Sequence, residues 1–374
     1  MSRLPGFCGP SNITRSRNVD DERTVNYVWE APQVGAPKVP SSLYGRPGRR
    51  PWVTLGSGPV RAIYTQDTQA WAVSGGLFVE LFSTQTAIVR GTVAVNGNPA
   101  TISSNGGPDG SGGHQLFITA GGFGYVYDLV AQTLTEITDP GFPLPALMGG
   151  FLNEKFIVLK DQSNQFNTSN LSDGSTWDAL DVAEVSQWPG RVLAINISHN
   201  ELWPFSMTRV NPWYDSGASF PLQPVLGAMI EFGVLWPWTV QRIDNTLFWV
   251  SQTEQGGAVV VRADGYSAKI ISPPAINTLL QRLPADTAAR GWTCQMDGHA
   301  FYVLYLPTND TSLVYDVSTE QWVEWALWDS DNFRWLPQFA QCHAFAFGKH
   351  LIGDPVSGTI YDLSFDYYAD RRPV

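Results

Sequence analysis

One short pattern recurs along this chain and limits what it can fold into. An apolar run leads through a turn rich in Gly, Asn or Asp to a second run that ends apolar-Tyr-Asp-apolar, at Tyr127, Tyr315 and Tyr361. We expect the Tyr to pack, while the Asp, at a strand end, hydrogen-bonds the turn that follows. The pattern therefore predicts an all-β protein built from repeated groups of short strands.

The repeats suggest a propeller. Three apolar runs follow one another over 60–64, 70–73 and 77–82, and the Gly75-Gly76 pair between the last two is a hairpin signal. Repeats of roughly 40–50 residues with about four strands each favour a propeller over a sandwich. Starts near residues 60, 115, 150, 190, 240 and 295 predict six blades. Helix is expected only over 177–185 and 275–282.

The N-terminal region differs from the rest. Residues 1–50 are rich in Pro, Gly and Arg and show little periodicity, apart from one candidate strand over 24–29. We predict an extended N-terminal arm over 1–58 that crosses other elements, and a β-propeller over 59–374.

Charge is distributed unevenly. The net charge is −11, but residues 1–50 carry eight basic and four acidic residues, which leaves 15 basic against 30 acidic residues elsewhere. An acidic body argues against a protein that follows DNA phosphates, which needs basic grooves, and suits a conduit through which DNA slides. Charged residues make up only 15% of the chain and Trp occurs 15 times. Such a composition fits extensive contact with partners, or an all-β core rich in Trp.

No cofactor, metal or membrane segment is expected. The three cysteines, Cys8, Cys294 and Cys342, are scattered as in a reduced compartment, and the five His show no zinc-like spacing. The N-terminus lacks the apolar core of a signal peptide, and no 18-residue apolar run occurs. The Gly-rich stretch 106–113 lacks the Lys-Ser/Thr of a phosphate-binding loop and is interpreted as a flexible loop.

Three acidic groups could carry chemistry. Ser172-Asp-Gly-Ser-Thr-Trp nearly matches the Asp box of sialidase-like propellers, which is a turn device distant from catalysis. On a helix, Asp178, Asp181 and Glu184 would share one face and could hold a cation, although solvated acids are the simpler interpretation. Glu324, Asp329 and Asp331 lie among Trp residues and fit either a sugar-cleaving carboxylate pair or an aromatic contact loop between subunits. We favour the contact loop.

Aromatic and basic residues supply the candidate interaction sites. Five Trp adjoin Pro and are either rigid exposed knobs or core filling between blades, the second being our expectation for any single one: Trp52, Trp203, Trp213, Trp236 and Trp238. The predicted interaction residues lie in the arm and in the Trp-rich loop: Arg15, Arg17, Arg23, Trp325, Trp328 and Trp335.

An ordered set of short segments, densest over residues 166–276, resembles a known family. The best matches are the segment from Ser172 to Asp181, Trp213-Tyr-Asp-Ser-Gly, and Asp244-Asn-Thr-Leu-Phe-Trp-Val. Together with Val25-Asn-Tyr-Val and Ile230-Glu-Phe-Gly, they are similar in order and spacing to the packaged-DNA stabilisation proteins of short-tailed bacteriophages, which form the tail hub or nozzle. The chain departs from the pattern at Pro221, Trp236-Pro-Trp-Thr and Asn277.

The resemblance implies a structural virion protein without enzymatic activity. It implies a six-bladed propeller assembled as a hexameric ring below the head-to-tail adaptor, which extends the DNA channel and helps retain packaged DNA. Partners would be the adaptor and a tail needle, plug or fibre, with DNA only as cargo, and assembly would take place in the host cytoplasm. Two alternatives stay open: a glycan-binding or glycan-cleaving propeller that recognises a receptor, and a monomeric scaffold propeller.

Overall fold

Short antiparallel strands follow one another along the chain in groups of three to five. The computed structural model describes residues 12–13, 21–30, 42–106, 112–218, 220–253, 256–337 and 340–370. Within them the strands form seven large sheets and two two-stranded ones. Residues Arg15 and Arg17, with most of the predicted arm, lie outside the described residues.

Five strands precede the first blade. They are β1 (Asn12–Ile13), β2 (Asp21–Glu22), β3 (Tyr27–Glu30), β4 (Ser42–Gly45) and β5 (Gly48–Thr54). β1 pairs with β2 and β3 pairs with β4.

Blades 1 to 4 are consecutive four-stranded meanders. Blade 1 comprises β6 (Val60–Gln66), β7 (Gln69–Ser74), β8 (Leu77–Phe82) and β9 (Thr86–Thr92). Blade 2 comprises β10 (Thr101–Gly106), β11 (Gly112–Ala120), β12 (Phe123–Asp128) and β13 (Thr133–Glu136). Blade 3 comprises β14 (Ala146–Leu152), β15 (Lys155–Lys160), β16 (Gln165–Asn170) and β17 (Asp173–Glu184). Blade 4 comprises β18 (Val192–Ser198), β19 (Glu201–Ser206), β20 (Trp213–Asp215) and β21 (Leu222–Pro224).

Blades 5 to 7 add two variations and the ring closure. Blade 5 comprises β22 (Gln241–Ile243), β23 (Thr246–Gln252), β24 (Ala258–Asp264) and β25 (Ser267–Ile270), with a 3₁₀ turn at Pro237–Thr239 before it and helix α1 (Pro274–Gln281) after it. Blade 6 comprises β26 (Arg290–Met296), β27 (His299–Tyr305), β28 (Ser312–Asp316), β29 (Gln321–Asp329) and β30 (Arg334–Pro337). Blade 7 comprises β31 (Cys342–Ala346), β32 (Lys349–Gly353), β33 (Thr359–Ser364) and β5.

The prediction of six blades is wrong: the ring has seven. A predicted start near 115 falls on β11, the second strand of its blade, because its first strand, β10, carries the polar run Ser103-Ser104-Asn105 and gives no apolar signal. The last predicted start, near residue 295, was expected to open a single blade, but the region beyond it contains blades 6 and 7. Its last blade has only three strands of its own, so its sequence pattern is incomplete.

The predicted extended arm is also wrong over its described part. β5 pairs antiparallel with β33, with Val53 opposite Ile360 and Gly48 opposite Ser364, and so supplies the fourth strand of blade 7. Leu55 N–H then donates to the Gly358 carbonyl over 2.8 Å. The ring is thus closed by hydrogen bonds between the two ends of the propeller sequence, which removes the open edge of blade 7.

Residues 23–30 attach to blade 6 through backbone pairing. Asn26 N–H donates to the Glu324 carbonyl over 2.7 Å, and Glu324 N–H donates to the Thr24 carbonyl over 3.0 Å. Val28 is buried in the apolar cluster that joins blades 6 and 7. This stretch, predicted as a strand over 24–29, is therefore part of the propeller and not a separate arm.

Apolar side chains pack between neighbouring blades. Six buried clusters link blade 7 to 1, 1 to 2, 2 to 3, 3 through 4 to 5, 5 to 6 and 6 to 7. Aromatic pairs cross several of these junctions: Phe78 meets Tyr127 with ring centroids 5.1 Å apart, and Phe205 meets Trp249 at 5.3 Å. Such ring contacts between sheets explain much of the aromatic content without a partner.

The repeated Asp stabilises the turn that follows in blades 2 and 6, as predicted, whereas Asp362 in blade 7 accepts from Tyr367 OH (2.7 Å); in all three blades the Asp also meets a basic residue. Asp128 accepts hydrogen bonds from the backbone N–H of Val130 (2.8 Å) and Ala131 (2.7 Å). In addition His114 approaches Asp128 in blade 2, His299 approaches Asp316 in blade 6 and Lys349 approaches Asp362 in blade 7. The basic residue comes from the neighbouring strand of the same hairpin or just before it.

One of the two helix predictions is confirmed and one is wrong. The helix over 275–282 is present as α1, but residues 177–185 lie largely in strand β17. Asp178, Asp181 and Glu184 consequently share no helical face. Asp181 accepts a hydrogen bond from Lys155 (3.1 Å), and Glu184 accepts one from Gln165 (2.6 Å), so each carboxylate has its own neighbour.

Trp52 tests the importance of the ring closure. Its side chain is 5% exposed, packs with residues of blades 7 and 1, and stacks on Phe347 with ring centroids 5.9 Å apart. We predict that Trp52→Ala lowers the free energy of unfolding by about 3–5 kcal/mol, because it leaves a cavity at the closure. Urea denaturation measures this, with Leu226→Ala as the exposed control, expected to change stability by less than about 0.5 kcal/mol. Equal effects of the two substitutions would contradict this role for Trp52.

His299 tests the basic residue–Asp pair. Its Nδ1 lies 2.7 Å from Asp316 Oδ2, and this hydrogen bond raises the pKa of His299 in the folded protein. A raised folded pKa gives stability that is fully present below the unfolded pKa and is lost as pH rises through the folded value. Wild type should therefore exceed His299→Gln in free energy of unfolding by more at about pH 5.5 than at about pH 9. A constant or reversed difference contradicts the assignment; His114→Gln, at a more exposed pair, is the matched control.

Candidate functional site

The central channel is lined by the first strand of each blade. A cavity of about 640 Å³ is bounded by first-strand residues of blades 1 to 5, among them Tyr64, Ser103 and Ile197. A second, of about 240 Å³, is bounded by blades 1, 2, 5, 6 and 7. A third, of about 370 Å³, lies among the segments that lead into the inner strands of blades 2 to 6.

Trp238 borders all three of these cavities. It belongs to the 3₁₀ turn before β22 and lines all three cavities. The turn is held rigidly: Thr239 Oγ1 donates to the Trp236 carbonyl (2.7 Å), and Tyr302 OH donates to the Thr239 carbonyl (2.8 Å). Trp238 therefore lies where these three cavities adjoin, and the largest of the three is about 640 Å³.

Of the five Trp next to Pro, only Trp238 is not fully buried. Trp52, Trp203, Trp213 and Trp236 are each at most 5% exposed, which confirms the expectation that they fill the core between blades. Trp238 is half-buried in the channel. No sequence signal distinguishes Trp238 from Trp236, two positions earlier. The 3₁₀ turn decides the difference, because it buries Trp236 between blades and leaves Trp238 beside the channel cavities.

The hairpin β29–β30 extends beyond the edge of blade 6 and exposes aromatic rings. Trp328 and Trp335 face each other across the two strands, with ring centroids 5.0 Å apart, and Trp328 is 50% exposed. Phe333 in the connecting turn is 79% exposed. Two of the three Trp predicted to interact with partners thus form one solvent-accessible group, which we call the aromatic hairpin (residues 326–337).

The third predicted Trp is placed differently. Trp325 is fully buried and contacts Phe301 (5.1 Å between centroids) and Trp292 (6.4 Å). It anchors the hairpin to blade 6 and has no surface available to a partner. Arg23 lies beside it on the surface and forms an ion pair with Glu324 over 2.9 Å.

The acids of this region serve the local fold. Asp329 accepts hydrogen bonds from the Asn332 amide (2.8 Å) and the Asp331 backbone N–H (3.2 Å), and the bond from Asn332 leads the contacts that lower its pKa. Glu324 accepts from Thr311 (2.7 Å) as well as from Arg23. A lowered pKa at Asp329 is the opposite of what a glycosidase acid requires, and both carboxylates are engaged by neighbouring donors, so the geometry favours the contact loop over sugar cleavage.

The Asp-box-like turn is structural, as predicted. Asp173 accepts from the Ser175 backbone N–H (2.9 Å) and from Thr176 Oγ1 (2.8 Å). Trp177 is buried and its Nε1 donates to the Gly174 carbonyl over 2.8 Å. The whole motif closes the β16–β17 turn of blade 3.

Among the described residues no group of three or more His, Cys, Asp or Glu is arranged to hold a metal ion. His343 and His350 form a pair (3.1 Å between ring nitrogens), and burial followed by the neighbouring His350 lowers the pKa of His343 to about 3. Burial raises the pKa of the Cys342 thiol to about 12, which makes it unreactive. Cys8 and residues 107–111 of the Gly-rich stretch lie outside the described residues.

The sequence matches one protein family over most of its length. Residues 39–368 match the family Phage_stabilise, described as Bacteriophage P22 Gp10, beta-propeller. The chain belongs to this family. Membership makes it a phage structural protein and a component of the virion, as the resemblance implied.

Solved structures agree on the fold alone. The chain is similar to the extracellular domain of a one-component system from B. thetaiotaomicron (12% identity, TM-score 0.55, 85% of this chain and 40% of that one). It is also similar to the Cps50 (Swd1) β-propeller domain of Myceliophteria thermophila (9% identity, TM-score 0.53, 85% and 99%). The chain therefore spans less than half of the first of these proteins. No curated protein is a significant match.

No helix in the described ranges is long and apolar enough to cross a membrane.

Proposed function

We propose that this protein is the hub, or nozzle, of a short phage tail. In this role several copies form a ring below the head-to-tail adaptor, extend the DNA channel, retain packaged DNA and pass it at ejection. Membership of the Phage_stabilise family supports the assignment to the tail. The single structural observation that supports assembly of several copies into a ring is the exposed aromatic hairpin of blade 6.

The DNA path in this proposal lies between protomers. Since the cavities that Trp238 lines between the inner strands are small, we expect a duplex to need a wider opening enclosed by several copies. The acidic character of residues 51–374, with 15 basic against 30 acidic residues, suits the wall of such an opening because like charges do not adhere. Six copies are the number that the family resemblance suggests.

The aromatic hairpin is the proposed contact between protomers or with the adaptor. Trp at the centre of an interface commonly contributes about 2 kcal/mol or more to binding. Hairpin β29–β30 is anchored by Trp325 and by the pairing of residues 24–26 with β29, so its exposed rings are presented by a rigid base. A rigid base loses little entropy on binding.

We predict that Trp328→Ala with Trp335→Ala weakens ring formation by about 30-fold or more, measured as the dissociation constant in sedimentation velocity. The cause is the loss of the aromatic contact area, because neither side chain is part of the buried core. Leu226→Ala, at a 92% exposed residue of blade 4, is the control and should assemble as wild type does.

Two results would contradict the proposal at different levels. Normal assembly of the double variant, with the melting temperature unchanged, would exclude the aromatic hairpin as the contact. A wild-type chain that stays monomeric with the adaptor ring present, and is missing from the tail axis in images of the particle, would exclude the hub itself.

A further inference from the structure

Two buried arginines line one cavity of the central channel, and within the described part of the chain neither has a carboxylate partner. Arg61, on the first strand of blade 1, is 3% exposed, and Arg290, at the start of the first strand of blade 6, is 8% exposed. Among the described residues neither forms a salt bridge, whereas Arg46 pairs with Asp370 and Arg90 with Glu80. Buried cations are normally paired, since transfer of a lone charge from water is costly.

Both side chains reach the same loop. Arg61 donates from Nε to the Asn98 carbonyl (2.9 Å) and from Nη1 to the Ala94 carbonyl (2.8 Å). Arg290 donates from Nη2 to the Gly97 carbonyl (3.1 Å). The two guanidinium groups therefore lie on one five-residue segment and both line the cavity of about 240 Å³.

The two arginines differ in how well they are satisfied. Arg61 also donates to the Gly75 carbonyl (3.1 Å) and to Asn96 Oδ1 (3.2 Å), as expected of a side chain that clamps a loop. Among the described residues Arg290 has one further bond, to the neighbouring Ala289 carbonyl, and its buried Nε has no acceptor there. The described chain thus gives Arg290 fewer acceptors than Arg61, which leaves more of its donor capacity for a ligand.

The surroundings are chemically suited to an anion. The cavity is lined by the two arginines together with Gln341, Thr293 and His343, and no described residue contributes a carboxylate to its lining. Burial lowers the pKa of Arg290 to about 10, so the group is still cationic at neutral pH. Burial lowers the pKa of His343 to about 3, so this neighbouring ring is neutral and the positive charge of the site comes from the two arginines.

We propose that this cavity binds a small phosphate-type oxoanion, which accepts a hydrogen bond from Arg290 and neutralises the two arginines. Guanidinium groups suit such anions because their N–H donors form a planar fork. The bound anion would fix the 94–98 loop across blades 1 and 6. This inference is independent of the role of the aromatic hairpin.

Isothermal titration of phosphate-free protein with inorganic phosphate tests the site, with sodium chloride at equal ionic strength as the blank. We expect saturable binding and a rise in melting temperature with phosphate concentration, since a ligand of the native state stabilises it. Arg290→Gln should weaken the affinity about tenfold or more, because a charged hydrogen bond is lost. Arg242→Gln, at an arginine of the neighbouring cavity, should leave it unchanged.

A short single-stranded oligonucleotide distinguishes free phosphate from phosphate of a nucleic-acid backbone. Because the cavity is small, we expect that the oligonucleotide does not compete with inorganic phosphate for binding. If the oligonucleotide does compete, and this competition disappears in Arg290→Gln, the site binds backbone phosphate as well as free phosphate. Should Arg290→Gln not fold, Arg290→Lys keeps the charge without Nε and is expected to weaken binding likewise. Absence of phosphate binding to the wild type, or binding that a folded Arg290 variant retains in full, would overturn the proposal.

Discussion

The pairing of β5 with β33 is the constraint on which the rest of the structure depends. It joins two segments that are about 300 residues apart in sequence and gives blade 7 its outer strand. Trp52 on β5 then packs against blades 7 and 1 at once. Without this strand the ring would have an open edge, and the clusters that hold neighbouring blades together would lose one junction. The position of each blade beside its neighbours, and therefore the position of the channel, depends on the ring being closed.

Closure of the ring also places the central channel and the aromatic hairpin, the two surfaces to which we assign binding, on different parts of the molecule. Trp238, Arg61 and Arg290 line one small cavity of the channel, where we propose that an oxoanion binds. The outer edge carries the aromatic hairpin, which extends from blade 6 where residues 24–26 cover β29. We propose that this hairpin, with the exposed rings of Trp328 and Phe333, supplies the outside contact that a tail hub needs.

Prediction from the sequence succeeded where a local pattern had a local cause. The strands around Gly75-Gly76, the Asp128 turn, the Asp173 turn and helix α1 depend on contacts within a few tens of residues. It failed at two places, for different reasons. Residues 177–185 have acids at helical spacing, yet they pair with β16 because the fourth edge of blade 3 needs a strand. The blade count failed because the seventh blade is shared between the two ends of the propeller.

The sequence by itself determined the all-β repeat, the family, and the aromatic character of the 325–335 stretch. Only the tertiary structure decided that Trp325 is buried while Trp328 is exposed, and that Arg61 and Arg290, which are 229 positions apart, share one cavity. The physical reason is that strand alternation and turn chemistry are encoded over a few residues. Burial and charge compensation are set by which blades become neighbours, and that depends on how the ring closes.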